Sequence, residues 1–253
     1  MGRQARYKAR EMRIAQATAE RRATRRNRLL AGGGLVIVGL IVAIVIGLVN
    51  AAGKAATAED ASSQRDVVVP TTATADGAIR VGSANAPVKL EVYLDYMCPF
   101  CGRFERANGA ELDRLVADGT VALHLYPLSF LDRSSSGTEY STRAANAVAT
   151  VADRAPDKVL AFNNALYASQ PVEGSAGLSD DEIAARAVDS GVPPEVISAF
   201  HEMIFEPWVA RQTDAAFKSG VSGTPTVRIN GVAFKGDLYT VGPLTQAVVA
   251  AKG

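Results

Sequence analysis

The two cysteines of the chain lie three residues apart, in the sequence Cys98-Pro99-Phe100-Cys101. They follow a segment with strand periodicity and precede one with helical periodicity, so Cys98 is expected at the beginning of a helix. Backbone N–H groups at a helix N-terminus have no intrahelical partner and stabilise a thiolate there. A thiolate attacks disulfides, and a thiol one turn away can resolve the mixed disulfide. The motif therefore predicts thiol–disulfide exchange, with Cys98 as the exposed nucleophile and Cys101 as the buried resolving thiol.

A structural disulfide and a zinc site are other uses of such a pair. A disulfide across so short a loop stabilises a fold little, because it removes little loop-closure entropy from the unfolded chain. Zinc would need His124 and His201 as further ligands. Those two histidines are far apart in the sequence and lack metal-ligand spacing. The sequence therefore favours a redox-active pair, and no metal ion is expected.

The cysteines are predicted to lie at a strand-to-helix junction within a βαβ unit. Residues 88–94 alternate apolar and polar side chains and are rich in β-branched residues, as in a strand. Pro99 suits the first turn of a helix, where its missing N–H is not needed. Apolar residues at helical spacing continue to about Asp118-Gly119, and residues 121–126 predict the second strand.

Helical patterns dominate the chain from about residue 136 to residue 219. Ser179 precedes three acidic residues, which is typical of a helix N-cap and its first turn. Pro193-Pro194 is expected to begin a further helix. Pro207 is expected to break or kink that helix, because a proline inside a helix removes a hydrogen bond and clashes with the preceding turn.

Strand character returns near the C-terminus. Asn230-Gly231 separates the apolar runs 226–229 and 232–234, which is a strong signal for a β-hairpin. A last helix is predicted over 243–251. The order of elements is therefore βαβ, a helical block, then ββα.

The sequence Gly223-Thr224-Pro225-Thr226 immediately precedes the first strand of this hairpin. Proline cannot donate to a ladder and is found at the first residue of a strand, at an edge or at a bulge. A cis Thr224–Pro225 bond here would bring backbone groups of Thr224 close to the sulfurs and leave them free to pair with an extended substrate. An ordinary trans proline in a turn is the alternative. In combination with the upstream cysteines, the motif predicts substrate binding at Thr224 and Pro225.

The N-terminal part of the chain has the composition of a membrane tether. The segment 1–28 holds ten Lys and Arg residues, and 29–50 is uncharged and predominantly apolar. Such a segment is long enough to span the ~30 Å hydrocarbon core of a bilayer, and its basic flank would stay in the cytoplasm. A cleaved signal peptide is the alternative, with Ala51-Ala52-Gly53 at the cleavage site. Residues 51–76, rich in Ala, Thr and Ser, predict a flexible linker to one domain over 77–253.

The charges divide the chain into a basic tail and an acidic remainder. The tail, 1–28, takes 10 of the 27 basic and 2 of the 26 acidic residues, which leaves 17 basic and 24 acidic residues beyond it. The resulting net charge of −7 provides no electrostatic footprint for nucleic acid. The basic tail is expected to contact anionic lipid headgroups and to set the membrane topology.

Residues 95–101, the Ala-rich helical block and residues 220–231 together resemble the DsbA-like thiol–disulfide oxidoreductases. The resemblance covers the chain from about Gly77 to its C-terminus and depends on two motifs in the same order. It implies an α/β protein with a thioredoxin fold, in which a helical insertion over about 136–219 separates the βαβ and ββα parts. The expected transmembrane helix precedes this domain.

For the site, the resemblance implies that Cys98 attacks, that Cys101 resolves and that Pro225 is a cis-proline on which the substrate chain docks. Pro99 and Phe100 complete the active-site motif. The sequence has no flavin, haem or nicotinamide motif, so no cofactor beyond the Cys98–Cys101 disulfide is expected. A membrane partner that passes electrons to quinone is implied by the family resemblance alone.

One position departs from the pattern of the wider thioredoxin fold. Many of its members carry a buried acid six residues before the first cysteine, where it accepts the proton of the resolving thiol; here that residue is Val92. Glu91 is adjacent, but neighbouring side chains of a strand point to opposite faces, so Glu91 does not simply replace it. Water or Asp95 would take the proton instead. A solvated position at the edge or end of a strand explains Asp95 and Glu91 equally well.

The sequence thus predicts a membrane-tethered, extracytoplasmic bacterial enzyme that donates the Cys98–Cys101 disulfide to exported proteins with free cysteines. An oxidising compartment is compatible with this direction. A reductase or isomerase of the same fold is the first alternative, because the direction depends on how strongly the Cys98 thiolate is stabilised. A peptide-binding module with an inert disulfide is the alternative from another class. Fast alkylation of Cys98 below neutral pH would favour the enzyme.

Overall fold

The computed structural model of the protein describes residues 67–252. The basic tail predicted at 1–28 and the membrane anchor predicted at 29–50 lie outside the described residues, as does the first part of the predicted linker. Within the part of the chain that the structure describes, no helix combines the length and the apolar character needed to cross a bilayer.

Residues 67–76, the last part of the predicted linker, make hydrogen bonds with the folded domain. The N–H of Thr71 donates to Asp153 Oδ1 over 2.9 Å, and the hydroxyl of Tyr126 donates to Asp76 Oδ2 over 2.9 Å. These contacts join 67–76 to elements far away in the sequence. Composition could not reveal them, because their partners are set by the tertiary fold.

Five strands form one sheet: β1 (Ile79–Val81), β2 (Val88–Leu94), β3 (Val121–Pro127), β4 (Thr226–Ile229) and β5 (Val232–Ala233). Their order across the sheet is β1-β3-β2-β4-β5. Strands β2 and β3 are parallel, and the other neighbouring pairs are antiparallel. The parallel pair confirms the predicted βαβ unit. The sequence analysis did not predict β1, because three residues are too few to show a period.

The part of the chain between Val67 and Lys252 contains seven α-helices: α1 (Pro99–Ala117), α2 (Tyr140–Arg154), α3 (Val159–Ala168), α4 (Asp180–Asp189), α5 (Pro194–Ile197), α6 (Glu206–Lys218) and α7 (Pro243–Ala251). Short 3-10 turns cover Asp132–Ser134, Pro156–Lys158 and Phe200–Glu202. Helices α2 to α6 lie between β3 and β4, where the helical block was predicted.

Local hydrogen bonding accounts for where two of the helices begin. Ser179 forms a capping box with Glu182, as its sequence context predicts: each side chain accepts a hydrogen bond from the backbone N–H of the other residue. The expectation for Pro207 was wrong. Helix α6 begins at Glu206, so Pro207 lies in its first turn. A proline begins a helix there instead of breaking one, because the first turn requires no donor.

The two faces of the sheet have different partners. On one face, Leu90, Val92 and Leu94 are buried in the main core together with Phe104 of α1 and both cysteines. On the other face, the rings of Tyr93 and Tyr126 stack with centroids 4.2 Å apart and pack in a second cluster that includes Ala216 of α6. The alternation of side chains along β2 therefore decides which of its residues lie on the cysteine side.

The C-terminal hairpin fixes β4 beside β2. Asn230 and Gly231 both have positive φ, 50° and 83°, as a two-residue type I′ turn requires. The Asn230 side chain accepts from the N–H of Lys89 over 2.8 Å. This confirms the predicted hairpin and sets the position of the loop that precedes β4.

Candidate active site

Cys98 is the N-cap residue of α1 and has an extended backbone. The pKa of Cys98 is lowered to about 6, first by a hydrogen bond with the Cys101 thiol and also by hydrogen bonds with Thr224 and the backbone of Cys101 and Phe100. Burial opposes this shift without cancelling it. At neutral pH the structure therefore favours the thiolate form of Cys98.

Cys98 is more covered than the sequence predicted. Only 5% of the residue is accessible, against 1% for Cys101. The carbonyl oxygen of Thr224 lies 3.2 Å from Cys98 Sγ, so the loop before β4 reaches the sulfur. The next two residues, Pro99 and Phe100, are exposed. Cys98 is thus a nucleophile at the floor of a recess and not on an open surface.

Cys101 lies beneath Cys98 in the first turn of α1. The pKa of the Cys101 thiol is raised well above its usual value, first by burial and then by the hydrogen bond and the charge of Cys98. The two thiols are therefore unequal: Cys98 is the acidic one and Cys101 keeps its proton. This is the arrangement predicted for an attacking and a resolving thiol.

The loop before β4 carries the predicted proline. The Thr224–Pro225 peptide bond is cis, and Tyr93 near the end of β2 lies opposite Thr226 at the start of β4. The antiparallel pairing of β2 with β4 therefore brings this loop to the same edge of the sheet as the cysteines. Thr224 and Pro225 are half-buried, so both are partly open to solvent beside Cys98.

Asp95 is fully buried at the end of β2. Its carboxylate accepts hydrogen bonds from the Ser141 hydroxyl (2.6 Å), the Met97 N–H (2.8 Å) and the Leu131 N–H (2.9 Å). Burial, and to a smaller extent the charge of Cys98, raise the pKa of Asp95 to about 7, although these three donors lower it. Asp95 therefore fastens the turn that carries the cysteines, residues 95–101 (the redox turn), to α2. With a pKa of about 7, both its protonated and its ionised form are populated near neutral pH. The alternative of a solvated position at the end of a strand was therefore wrong for Asp95.

Glu91 lies on the opposite face of the sheet from Val92. Its carboxylate pairs with Lys89 over 3.1 Å, and its neighbours across the sheet are His124 and Arg228. Its second carboxylate oxygen is buried without a hydrogen-bond partner among the described residues. The structure brings Asp95 to the cysteines because Asp95 follows the last residue of β2 and leads into the turn. Glu91 stays on the face opposite Val92, as strand alternation requires.

The sequence analysis missed a second acid with a raised pKa, the half-buried Glu105 of α1. The pKa of Glu105 is raised to about 7 because burial outweighs a hydrogen bond with Asn163. Its carboxyl occupies the space in front of Gly109, where a Cβ atom would overlap it. Glu105 and Val92 line the same small cavity. An acid of α1 therefore lies close to the position on β2 where this chain has Val92 instead of an acid. Its spacing of four residues from Cys101 was the available signal, because such residues share a helix face.

A groove of about 450 Å³ opens beside Cys98. Three aromatic side chains line it: Phe100, Phe130 and Phe217, of which Phe100 is 50% and Phe217 69% exposed. The cis-proline loop forms another part of the wall through Thr224. The groove can therefore place an apolar segment of an extended chain against the reactive sulfur.

The histidines considered for zinc do not join the cysteines. His124 is on β3, opposite Glu91 and Arg80 in the sheet, and His201 is in a 3-10 turn. Among residues 67–252, no group of three or more His, Cys, Asp or Glu side chains is placed to hold a metal ion.

An acidic thiol above a protonated one, on a thioredoxin-type sheet and beside a cis-proline, defines a thiol–disulfide oxidoreductase. A protein-family model described as Thioredoxin matches residues 74–241 of the chain. The protein therefore belongs to this thioredoxin family. The match covers both cysteines and Pro225.

Solved structures of thiol–disulfide oxidoreductases share this fold. The reduced disulfide bond oxidoreductase DsbG from Mycobacterium tuberculosis is 26% identical with a TM-score of 0.58, over 72% of this chain and 97% of that one. Oxidised DsbA from M. tuberculosis is 28% identical with a TM-score of 0.57, over 69% and 99%. MdbA from Actinomyces oris, a thiol-disulfide oxidoreductase, is 27% identical with a TM-score of 0.62, over 72% and 92%. The chain is thus similar in fold to DsbA-like thiol–disulfide oxidoreductases.

A similar sequence also occurs within larger proteins. The serine/threonine-protein kinase PknE of M. tuberculosis is 38% identical over 122 residues, which is 47% of this chain and 22% of the kinase. PknE of Mycobacterium bovis matches to the same extent. The chain thus spans about a fifth of the length of these curated relatives.

Proposed function

We propose that the protein is an extracytoplasmic, membrane-tethered oxidase that donates the Cys98–Cys101 disulfide to exported proteins. The inequality of the two thiols carries this proposal. A Cys98 thiolate with a pKa lowered to about 6 stabilises the reduced form of the pair. Stabilisation of the reduced form makes the disulfide more oxidising, so the enzyme tends to give its disulfide away.

The reaction proceeds through a mixed disulfide. A substrate thiolate attacks Cys98 Sγ, the Cys98–Cys101 bond breaks, and Cys101 leaves and takes up a proton because of its raised pKa. A second substrate thiolate then attacks the substrate sulfur of the mixed disulfide, and Cys98 leaves as a stabilised thiolate. Two electrons pass from the substrate dithiol to the enzyme dithiol, and the substrate gains the disulfide.

Asp95 is proposed as the proton partner of this exchange. It is buried beside the redox turn, and a carboxyl group with a pKa of about 7 changes its protonation in the range in which the enzyme must gain and lose protons. Glu91 has no part in the proposal, because it lies on the other face of the sheet. When the disulfide opens, the Cys101 thiolate takes up one proton in each turnover, and Asp95 is proposed to supply it.

Substrate binding is proposed for the groove and the cis-proline loop. Backbone groups of Thr224 beside Cys98 can pair with an extended segment, while Phe100 and Phe217 contact its apolar side chains. This mode of binding recognises an extended backbone and apolar side chains, and it does not require one particular substrate sequence. It therefore suits an enzyme that acts on many unfolded exported chains with free cysteines.

The cellular arrangement is proposed from the N-terminal sequence. The basic segment 1–28 would remain in the cytoplasm, 29–50 would cross the membrane, and the domain would face an oxidising compartment. The linker is proposed to end near residue 66, because 67–76 hydrogen-bond to the domain. A quinone-linked membrane protein is proposed as the reoxidant, and no cofactor beyond the disulfide itself.

The reduction potential of the Cys98–Cys101 pair tests the direction of transfer. The protein is equilibrated with glutathione buffers and its thiols are trapped. A potential near about −120 mV is expected for a disulfide donor, whereas one near about −270 mV would identify a reductase and overturn the proposal.

The alternative of an inert binding module is tested separately by alkylation of the reduced protein. The enzyme is expected to show one thiol whose reaction rate rises with pH around the pKa of about 6 of Cys98. Two slow thiols over the whole range from pH 5 to pH 8 would favour the inert module, because a protonated thiol is a poor nucleophile.

A further inference from the structure

Gln170, between α3 and α4, contacts the backbone of the redox turn. Its Nε2 group donates to the carbonyl oxygen of Cys98 over 2.7 Å and to that of Tyr96 over 3.1 Å. Both partners are acceptors only, so the amide must present its nitrogen to them. One side chain of the helical insertion thus binds two peptide groups of the turn that holds the nucleophile.

Gly102 makes room for this side chain. A Cβ atom built on Gly102 would overlap Gln170 Oε1, so the amide of Gln170 occupies the space of a missing side chain immediately after Cys101. Gly102 is a helical residue of α1 without a positive φ. A glycine inside a helix is less favourable than alanine, and here the close approach of Gln170 accounts for the glycine.

The bound carbonyl is part of the structure that stabilises the thiolate. The carbonyl oxygen of Cys98 also accepts the N–H groups of Cys101 (3.0 Å) and Gly102 (3.2 Å), which begin helix α1. The orientation of this turn decides whether the N–H groups of Phe100 and Cys101 point at Cys98 Sγ. A side chain that fixes the Cys98 carbonyl therefore also fixes the donors to the sulfur.

We propose that Gln170 is a positioning residue that holds the redox turn in the geometry that favours the Cys98 thiolate, with Gly102 as the site that admits it. Gln170 acts through the backbone and does not touch the reacting sulfur. The proposal deepens the proposed oxidase function and rests on it. The helical insertion then does more than enlarge the fold, because it sets the reactivity of the thiol pair.

Three single variants test the contact. In Gln170→Ala the two hydrogen bonds are lost, and in Gly102→Ala the new methyl group displaces Gln170. Gln170→Glu keeps the shape but places a carboxylate against two carbonyl oxygens and adds negative charge near Cys98. Each is expected to slow alkylation of Cys98 at pH 5 by about three- to tenfold, with Gln170→Glu the most affected. The glutathione equilibrium should shift towards the disulfide form by a similar factor.

The double variant Gly102→Ala/Gln170→Ala makes the test specific. Both substitutions remove the same contact, and the shortened residue 170 leaves space for the new methyl group. Alkylation of Cys98 in the double variant is therefore expected to be no slower than in the slower of the two single variants. If the two substitutions acted independently, their effects on the rate would multiply instead. Ser169→Ala, in the same loop, is the matched control, because Ser169 Oγ accepts from Arg186 and not from the turn.

The outcomes separate this proposal from the proposed function. If wild-type Cys98 alkylates fast at pH 5 and the folded variants do so equally fast, the positioning role is overturned and the oxidase remains. If wild-type Cys98 is itself slow, the proposed function fails first. Multiplicative effects in the double variant would also contradict the role, because they would show two unrelated defects. Thermal unfolding of each variant verifies that it is folded.

Discussion

Cys98 and Cys101 share one helical turn but have opposite surroundings. The hydrogen bond with the Cys101 thiol, and then those with Thr224 and the backbone N–H groups at the start of α1, lower the pKa of Cys98, while burial in the core raises the pKa of Cys101. The difference arises because a helix presents free N–H groups at its first residues and buries the next ones. At the residue scale, a spacing of three positions is thus enough to separate a thiol of lowered pKa from one of raised pKa.

Substitution of each cysteine should have a different result. Cys98→Ser is expected to abolish disulfide transfer, because the acidic nucleophile is lost. Cys101→Ser is expected to accumulate mixed disulfides with substrate, because nothing resolves them. Non-reducing gel electrophoresis after incubation with a reduced protein substrate measures both. Substantial disulfide transfer by Cys98→Ser would contradict the assignment.

The buried carboxyl of Glu105 should make stability depend on pH. Its pKa is raised from 4.5 to about 7, so between these values the folded protein binds more protons than the unfolded chain. Stability is then lost as the pH rises through this window. Glu105→Gln removes the titration, and at pH 8 it should be more stable than the wild type by about 1–3 kcal/mol, with little difference near pH 4.

Urea unfolding of both proteins in the same redox state measures this difference. Asp95 is present in both, so its own titration cancels in the comparison. Glu111→Gln, on the exposed side of the same helix, is the control and should change stability by less than about 0.5 kcal/mol at either pH. A Glu105→Gln protein that is less stable than the wild type at pH 8 would show that the carboxylate is needed in the folded state.

At the scale of elements, local signals predicted most beginnings and ends. The strand before the cysteines, helix α1, the Asn230-Gly231 hairpin and the last helix agree with their sequence patterns, because each has a strong period or a specific turn residue. Strand β1 escaped prediction because three residues show no period. Pro207 was misjudged because the same residue either breaks a helix or begins one, depending on where the preceding chain turns.

The capping box of α4 gives a test at this scale. Ser179→Ala removes the side-chain acceptor for the Glu182 N–H and should destabilise the protein by about 1 kcal/mol. Ser179→Asp keeps an acceptor and should recover most of that loss. Chemical denaturation measures both, and Ser198→Ala, an exposed serine outside a capping box, serves as the control. Equal stability of Ser179→Ala and the wild type would mean that the box contributes nothing.

At the scale of the whole molecule, the site is assembled from distant segments. The strand and helix that carry Cys98, the loop of Thr224, the turn of Leu131 and the insertion residue Gln170 meet at one edge of the sheet. The pairing of β4 with β2 brings the loop to the sulfur. Substrate contacts are therefore expected on surface that no single motif encodes, such as the exposed ring of Phe217.

Phe217→Ser should weaken substrate binding without changing the redox chemistry. The ring is 69% exposed and lines the groove beside Cys98. Its loss is expected to lower kcat/KM for a reduced peptide substrate by about three- to tenfold, because apolar contact area is lost. The reduction potential should stay unchanged. Val249→Ser, a 55% exposed apolar residue of α7 outside the groove, should leave both quantities unaltered.

The sequence by itself determined the chemistry and the local structure. Two cysteines at helical spacing after a strand, a Thr-Pro pair before a hairpin and the periods of the main elements are short-range properties, and short-range physics fixes them. Tertiary structure alone decided that Cys98 is nearly covered, that Glu105 of α1 lines the same cavity as Val92, and that Gln170 contacts the turn. Burial and hydrogen-bond partners depend on segments far apart in the sequence, as for Cys98 and Thr224, which are separated by 126 residues. Such contacts arise only when the chain has packed.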